Sequence, residues 1–474
     1  MHNYQQLQFK SGLEIHQQLE GKKLFCDCPT IIKDGTPDFK IRRRLRASAS
    51  ELGEIDQAAL HELKKEKEFI YEGYKEANCL IDIDEEPPKK MNKKALETTL
   101  KLALLLKAKP LDYIQFMRKI VIDGSNTAAF QRTALIAVNG EIETSRGNVK
   151  IESVCLEEES AKKVNDTETE RRYNISRLGI PLIEIATDAS LQDPEHVKEA
   201  AVKIGMILRS LEGIKRGIGS IRQDVNISIK NGARIEIKGF QDYRNIPKVI
   251  DNEITRQLQE KKKQEAHVRS ARPDFSTQYE RPMPGAARMY VETDIPLHKI
   301  AKDYLKTLHL PELLEEQMLR LEETFKIDNT QAKDLLKENL EEYFKKASLL
   351  CSNLKNTYIA ELILNLPKEF KKNHNKTIHH DDFFLSILEH LDKRNIAKES
   401  LEKIFLDKVN NKPFNIKNYG LKDMKELEEE IKILIKEKPE LNFQALMGEL
   451  MKKNRGKIDG KTAAELIKKH SIFS

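Results

Sequence analysis

The chain has 474 residues, of which 33% are charged, none is tryptophan, and the formal net charge is +6. That length is enough for two to four domains with cores of their own. The odd count of five cysteines argues against a disulfide framework. No apolar run approaches the roughly 18 residues of a membrane span and no signal-peptide core is seen, so a cytoplasmic protein with no membrane partner is expected. The modest positive charge permits a nucleic-acid partner without requiring one.

The first strand is read in Gly12-Leu13-Glu14-Ile15-His16. Alternation puts Leu13 and Ile15 on one face and Glu14 and His16 on the other, about 7 Å apart. Helices are expected at about 56–76, 93–107 and 194–212, the last opened by Asp193 as N-cap and Pro194 at its first position. Around them, "KIVIDGSN", "LIAVNGEIETSRGNVKIESVCLEEE", "IPLIEIATD" and "RQDVNISIKNGARIEIKGF" are β-branched runs broken by Gly, Asn and Pro, and read as strands. In the last of these, Arg222, Asp224, Asn226 and Ser228 share the face opposite Ile221, Val225, Ile227 and Ile229. A three-residue loop, Lys230 to Gly232 with Gly232 left-handed, pairs Ser228 with Arg234, Asn226 with Glu236 and Asp224 with Lys238. After residue 300 the pattern is helical and rich in Lys and Glu. The expected fold class is α+β: a mainly antiparallel-sheet domain over 1–300, an all-helical domain over 301–405 and a small helical tail over 406–474.

Glu184 lies within an apolar run, where an ionised carboxylate is costly unless compensated. With Glu14, His16, Glu158, Asp224 and Glu236 it makes a set of acids and one imidazole on strand segments. Hard oxygen ligands of this kind suit Mg²⁺ or Mn²⁺. Arg222, Arg234 and Lys238, interleaved with them, are candidate phosphate contacts. There is no G-x-x-x-x-G-K-[ST] loop and no protein-kinase signature set, so nucleotide chemistry would need a sheet-lined site. The same residue types also suit two-metal phosphate hydrolysis, and a tRNA-binding module with structural acids stays open. Cys26 and Cys28 would need Cys79 and one more ligand to hold zinc, at a spacing tighter than paired zinc ligands use. Buried free thiols are expected instead. The cluster Arg42, Arg43, Arg44 and Arg46 and the runs "FKKNHNK", "MKKNRGK" and "KKHSIFS" are candidate phosphate-tracking patches.

In order along the chain, "GLEIHQQL", "KKLFCDCP", "RRRLRASASELGEID", "MRKIVIDGSNTAAFQRT", "VCLEEESAK", "RLGIPLIEIATD", "KRGIGSIRQDVNISI", "ARIEIKGFQD" and "RPMPGAARMYVETDIP" resemble the GatB/GatE family of glutamyl-tRNA(Gln) amidotransferase subunits, above all its archaeal members. "GELMKKNRGKIDGK" resembles that family's tail. The resemblance implies a "cradle" domain that uses ATP to phosphorylate the γ-carboxylate of Glu on mischarged Glu-tRNA(Gln), after which ammonia displaces phosphate. It places the metal-binding residues at Glu14, His16, Glu158, Glu184, Asp224 and Glu236. It implies an asparaginase-like amidotransferase partner, the D-type subunit, as ammonia source, with two copies of each chain, and tRNA held by cradle, helical and tail segments. Two departures stand out. The chain runs from "RSARPDFSTQY" straight into "RPMPGAARMY", where archaeal members carry an inserted domain, and the third acid of "LEEES" is Glu159 rather than Asp, which leaves it unassigned.

Overall fold

The computed structural model describes residues 2–470 except 47, 50, 52, 56, 241, 261–263, 284–288, 421, 423, 439–440, 455–457 and 459. Parts of "RPMPGAARMY", "MKKNRGK" and "KKHSIFS" therefore lie outside the described residues. The chain divides into two compact units, Met1–Leu313 and Leu314–Ser474.

The first unit is built on one large sheet. Ten of its strands, in chain order, are β1 Lys10–Gln18, β2 Phe116–Ile120, β3 Phe130–Thr144, β4 Gly147–Glu158, β5 Pro181–Thr187, β6 Ile221–Ser228, β7 Ile235–Phe240, β8 His267–Ala271, β9 Thr277–Pro282 and β10 Met289–Val291. Their order across the sheet is β9-β8-β7-β6-β1-β5-β4-β3-β2-β10. All neighbours are antiparallel except β7 and β8. The first strand is thus central, flanked by β5 and β6. Leu13, Ile15, Val225, Ile227, Ile183, Ile185 and Leu156 are buried on one face. That face is covered by α2 (Lys93–Leu105), α3 (Pro194–Arg209) and α4 (Ile246–Gln259), through side chains such as Leu100, Ile204 and Ile250. Each such aliphatic contributes about 1.5–3 kcal/mol on full burial, so the register that keeps them inward is strongly enforced. The polar residues alternating with them are forced onto the opposite face.

Three expectations need correction. The helix expected at 56–76 is short, α1 at Gln57–Leu63, and Glu68–Gly73 is instead a strand of a separate four-stranded sheet. Its Phe69-Ile70-Tyr71 core is aromatic and β-branched, and Tyr71 stacks on Tyr173 with ring centroids 6.2 Å apart. The helix α4 was not anticipated, although Ile246, Val249, Ile250 and Ile254 follow a helical spacing and are all buried. The link between β6 and β7 is longer than three residues, spanning 229–234, and its left-handed residue is Asn231 (φ 65°), not Gly232. Tertiary partners open the turn: the Lys230 amide donates to Leu7 O (2.7 Å), and the Ala233 amide to Gln257 Oε1 (3.1 Å). Asn226 does pair with Glu236, but the ladder shifts register between Gln223 and Val225, at left-handed Gly239 (φ 94°).

The second unit is helical from Leu314 onward. One apolar cluster gathers Phe344, Phe370, Phe384 and Phe405, and another gathers Leu427, Ile431, Leu446, Leu450 and Ile467. Among the described residues, no helix is long and apolar enough to cross a membrane.

Candidate cation centre on the polar face of the sheet

The face of the sheet turned away from α2, α3 and α4 carries the acids. Across the strands, Cys155 of β4, Glu184 of β5, His16 of β1 and Arg222 of β6 form one row. Ala186, Glu14 and Asp224 form the next. Neighbouring strands lie about 4.8 Å apart, so side chains in these rows meet without any loop contributing.

Two trios of ligand atoms result, each with its three atoms within 4.8 Å of one another: His16, Glu157 and Glu184, and Glu14, Asp224 and Glu236. In the first, His16 Nε2 lies 3.2 Å from Glu184 Oε2, and Thr133 Oγ1 donates to Glu157 Oε1 at 2.8 Å. In the second, Asn226 Nδ2 lies 3.5 Å from Glu14 Oε1, while Asn226 Oδ1 is buried without a partner. Five carboxylates, an imidazole and an orphaned amide oxygen make a hard donor set, which fits Mg²⁺ or Mn²⁺.

The electrostatics reflect this crowding. Burial, and then the charges of Glu184 and Glu236, push the Glu14 carboxyl up to about 7. Glu184 is held below its ordinary value: burial opposes this, but Lys119 and the hydrogen bond from His16 outweigh it. His16 is raised in spite of its burial by the hydrogen bond and charge of Glu184. Asp224 is lowered against burial by Lys238 and by the Gly239 amide, which the shifted register turns onto its carboxylate.

Of the nine residues expected at the site, the structure brings together Glu14, His16, Glu184, Asp224, Glu236 and Lys238. Glu158 is outside the set. It falls on the same face of β4 as Leu156, accepts from the Arg132 amide (3.3 Å) and lines a small cavity of about 20 Å³ with Lys23, Asp82 and Arg132. Its neighbour Glu157 takes the place instead. Alternation through Val154, Cys155 and Leu156 carried that signal, because the two aliphatics mark the core face and Glu157 must oppose it. Arg222 is on the right face, but both its terminal nitrogens bind Glu159 (2.7 and 2.9 Å). Arg234 precedes β7, is exposed, and makes no ion pair among the described residues. Lys119 of β2 was missed: its Nζ lies 2.6 Å from Glu157 and 3.6 Å from Glu184. In the basic cluster, Arg42 pairs with Glu68 and Arg43 with Glu85.

A second cluster lies elsewhere in the first unit, where Cys26, Cys28 and Cys79 are free thiols, Cys26 buried and the other two half-buried. Cys26, Cys28, Cys79 and Asp82 present ligand atoms all within 4.8 Å of one another. Hydrogen bonds from Cys26 and Cys28 hold the Cys79 thiol far below its ordinary value, and Cys26 is correspondingly raised. Three sulfurs and a carboxylate match the donors and number of a tetrahedral zinc site. Asp82, three residues after Cys79 and accepting from the Cys79 amide at 3.0 Å, would be the fourth ligand.

Fold and site together define a protein built around an acid-lined face of one large, mainly antiparallel sheet. Residues 9–306 match the family described as the GatB/GatE catalytic domain, and the chain belongs to that family. Similar proteins include the E-type subunit of glutamyl-tRNA(Gln) amidotransferase from Methanocaldococcus jannaschii, 35% identical over 624 aligned positions that cover 98% of this chain and 99% of the relative. The counterpart of the same name from Methanosarcina barkeri is 34% identical over 99% of this chain and 98% of its own length, and that from Methanococcus maripaludis 32% identical over 99% of each. An alignment of 624 positions is longer than this 474-residue chain, so the relative carries residues with no counterpart here, as an omitted internal domain would produce.

Proposed function

We propose that the chain is the activating and amide-forming subunit of a tRNA-dependent amidotransferase, converting Glu-tRNA(Gln) to Gln-tRNA(Gln) with ATP. The observation that carries this reading is the convergence of the two acid trios on one sheet face, in a chain whose relatives are named for that activity.

A carboxylate is a poor acyl donor because its leaving group would be an oxide. Transfer of the γ-phosphoryl group of ATP to the glutamyl γ-carboxylate makes an acyl phosphate and ADP. Ammonia then adds at the acyl carbon, phosphate leaves with the bonding electrons, and a proton is lost to give the amide. Mg²⁺, held by His16, Glu157 and Glu184 and by Glu14, Asp224 and Glu236, would neutralise phosphate oxygens during the transfer. The protein's own groups do the rest. Lys119 and Lys238 supply positive charge beside the trios. Thr133 fixes the orientation of Glu157. Arg222 and Glu159 close one end of the row as a satisfied ion pair. Ammonia is read as coming from an asparaginase-like partner, the D-type subunit, with two copies of each chain. The sheet domain over 1–300 is the cradle, and the segments 301–405 and 406–474 hold tRNA.

The test incubates the purified chain with Glu-tRNA(Gln), ATP, Mg²⁺ and ammonium. Gln-tRNA(Gln) with equimolar ADP is expected, and Glu184→Gln should reduce it roughly a hundredfold. Shortened tRNA without ATP consumption would refute the reading in favour of a metal-dependent nuclease.

A further inference from the structure

Each acid trio already contains a cation supplied by the chain. Lys238 Nζ lies 2.7 Å from Asp224 Oδ2 and also contacts Glu236 Oε1. Lys119 Nζ lies 2.6 Å from Glu157 Oε1 and 3.6 Å from Glu184 Oε2. The two lysines come from opposite sides of the centre, β7 and β2, yet each stands where a divalent ion would take its oxygens. Three ligand atoms within 4.8 Å of one another leave room for one cation in contact. An ammonium and a divalent ion held about 4 Å apart would repel strongly in so dry a site.

We infer that Lys119 and Lys238 are tethered counter-cations, which divalent ions displace from the two trios, and that the freed ammonium groups then turn to the phosphates of the bound nucleotide. This rests on the reading of the face as a divalent-cation centre and gives the two lysines their part in it as contacts to the nucleotide. The residue type fits the task. Lysine is a compact point charge on a flexible four-carbon stem and can move aside while staying attached to the face, whereas a guanidinium locked in a fork cannot. Arg222 is such a fork, on Glu159, and is not a candidate for exchange. Lys238 keeps 32% of its side chain exposed against 13% for Lys119, so the trio of Glu14, Asp224 and Glu236 has the clearer exit and should exchange more readily.

The experiment measures Mn²⁺ binding to the full chain by calorimetry, with ATP binding measured beside it. Lys238→Met removes the ammonium and keeps an apolar stem. If an internal competitor has been removed, Mn²⁺ affinity at one site rises roughly tenfold to a hundredfold, the range set by losing hydrogen bonds to charged groups. The cation-free melting temperature falls, Mn²⁺ restores more of it than in the wild type, and ATP binds more weakly. Lys119→Met should do the same for the other site, and Lys238→Gln serves where the methionine variant melts too low. The gain should persist in about 0.5 M KCl, where a general field effect would be screened away. Folded variants with unchanged or weaker Mn²⁺ affinity, beside a wild type that binds it, overturn the exchange and leave the cation centre standing. No Mn²⁺ uptake by the wild type or by any variant overturns both. Uptake by the variants alone would support the exchange in its strongest form.

Discussion

The ion pair between Glu159 and Arg222 allows a stability prediction whose size can be worked from two directions. Glu159 is buried, accepts from both terminal nitrogens of Arg222 and from Gln18 Nε2 at 2.9 Å, and has Arg177 at 4.0 Å. Burial alone would raise its carboxyl, but Arg222 and Arg177 win and hold it at about 2, against an ordinary 4.5. At about 1.36 kcal/mol per unit this corresponds to about 3 kcal/mol. Removing one partner of a buried pair costs about 3–5 kcal/mol, with the lower figure appropriate because Arg222 retains 30% exposure. Glu159→Gln should therefore lower stability at pH 7 by about 3 kcal/mol. The folded carboxyl is depressed, so its contribution is complete above pH 4.5 and is lost as pH falls toward 2. Urea unfolding of the wild type and the variant, repeated from about pH 7 down to about pH 2.5, should show the gap closing across that window. A gap that stays constant with pH would mean that the carboxylate charge contributes nothing and that the ion pair is not what stabilises the fold there.

The neighbouring acids should separate in a cation titration. Glu157→Gln should weaken Mn²⁺ binding roughly tenfold or more, whereas Glu158→Gln should leave it near the wild-type value in the same titration. Gly232→Ala would place a methyl group against Gln257 Oε1 and 2.6 Å from Ile229 Cγ1, so a loss of about 1–3 kcal/mol is expected from overpacking, read as a lower urea midpoint. The Cys26, Cys28, Cys79 and Asp82 cluster should carry one zinc per chain by elemental analysis. Cys79→Ser should abolish it, and chelation should lower the melting temperature of the wild type but not of that variant.

Much of the site was legible because strand alternation is a local rule. Leu13 and Ile15 facing the core leave Glu14 and His16 no choice of side, and the same holds for Asp224 between Gln223 and Val225 and for Glu236 between Ile235 and Ile237. Glu158 differs from Glu157 by one residue in phase, which on a strand is a whole face, and it is Glu157 that lies beside His16 and Glu184. Lys119 was beyond reach for a different reason: nothing in "MRKIVIDG" says that β2 lies two strands from β4, with β3 between them. The strand at Glu68–Gly73 was lost to a helical reading because its parallel partner, Glu170–Asn174, is about a hundred residues away in the sequence.

Local sequence carried the alternation that separates the two faces of the central strands, the α+β class and the likeness to a family, since each depends on neighbours a few residues apart. Tertiary structure decided which polar groups meet. The register across β5, β1 and β6 assembled the trios, the shift at Gly239 turned an amide onto Asp224, and packing from distant segments delivered Lys119 to Glu157 and the Cys79–Asp82 turn to Cys26 and Cys28. The physical reason is that ion pairing and ligation act over a few ångströms of space, and only the folded chain turns separation along the sequence into that distance.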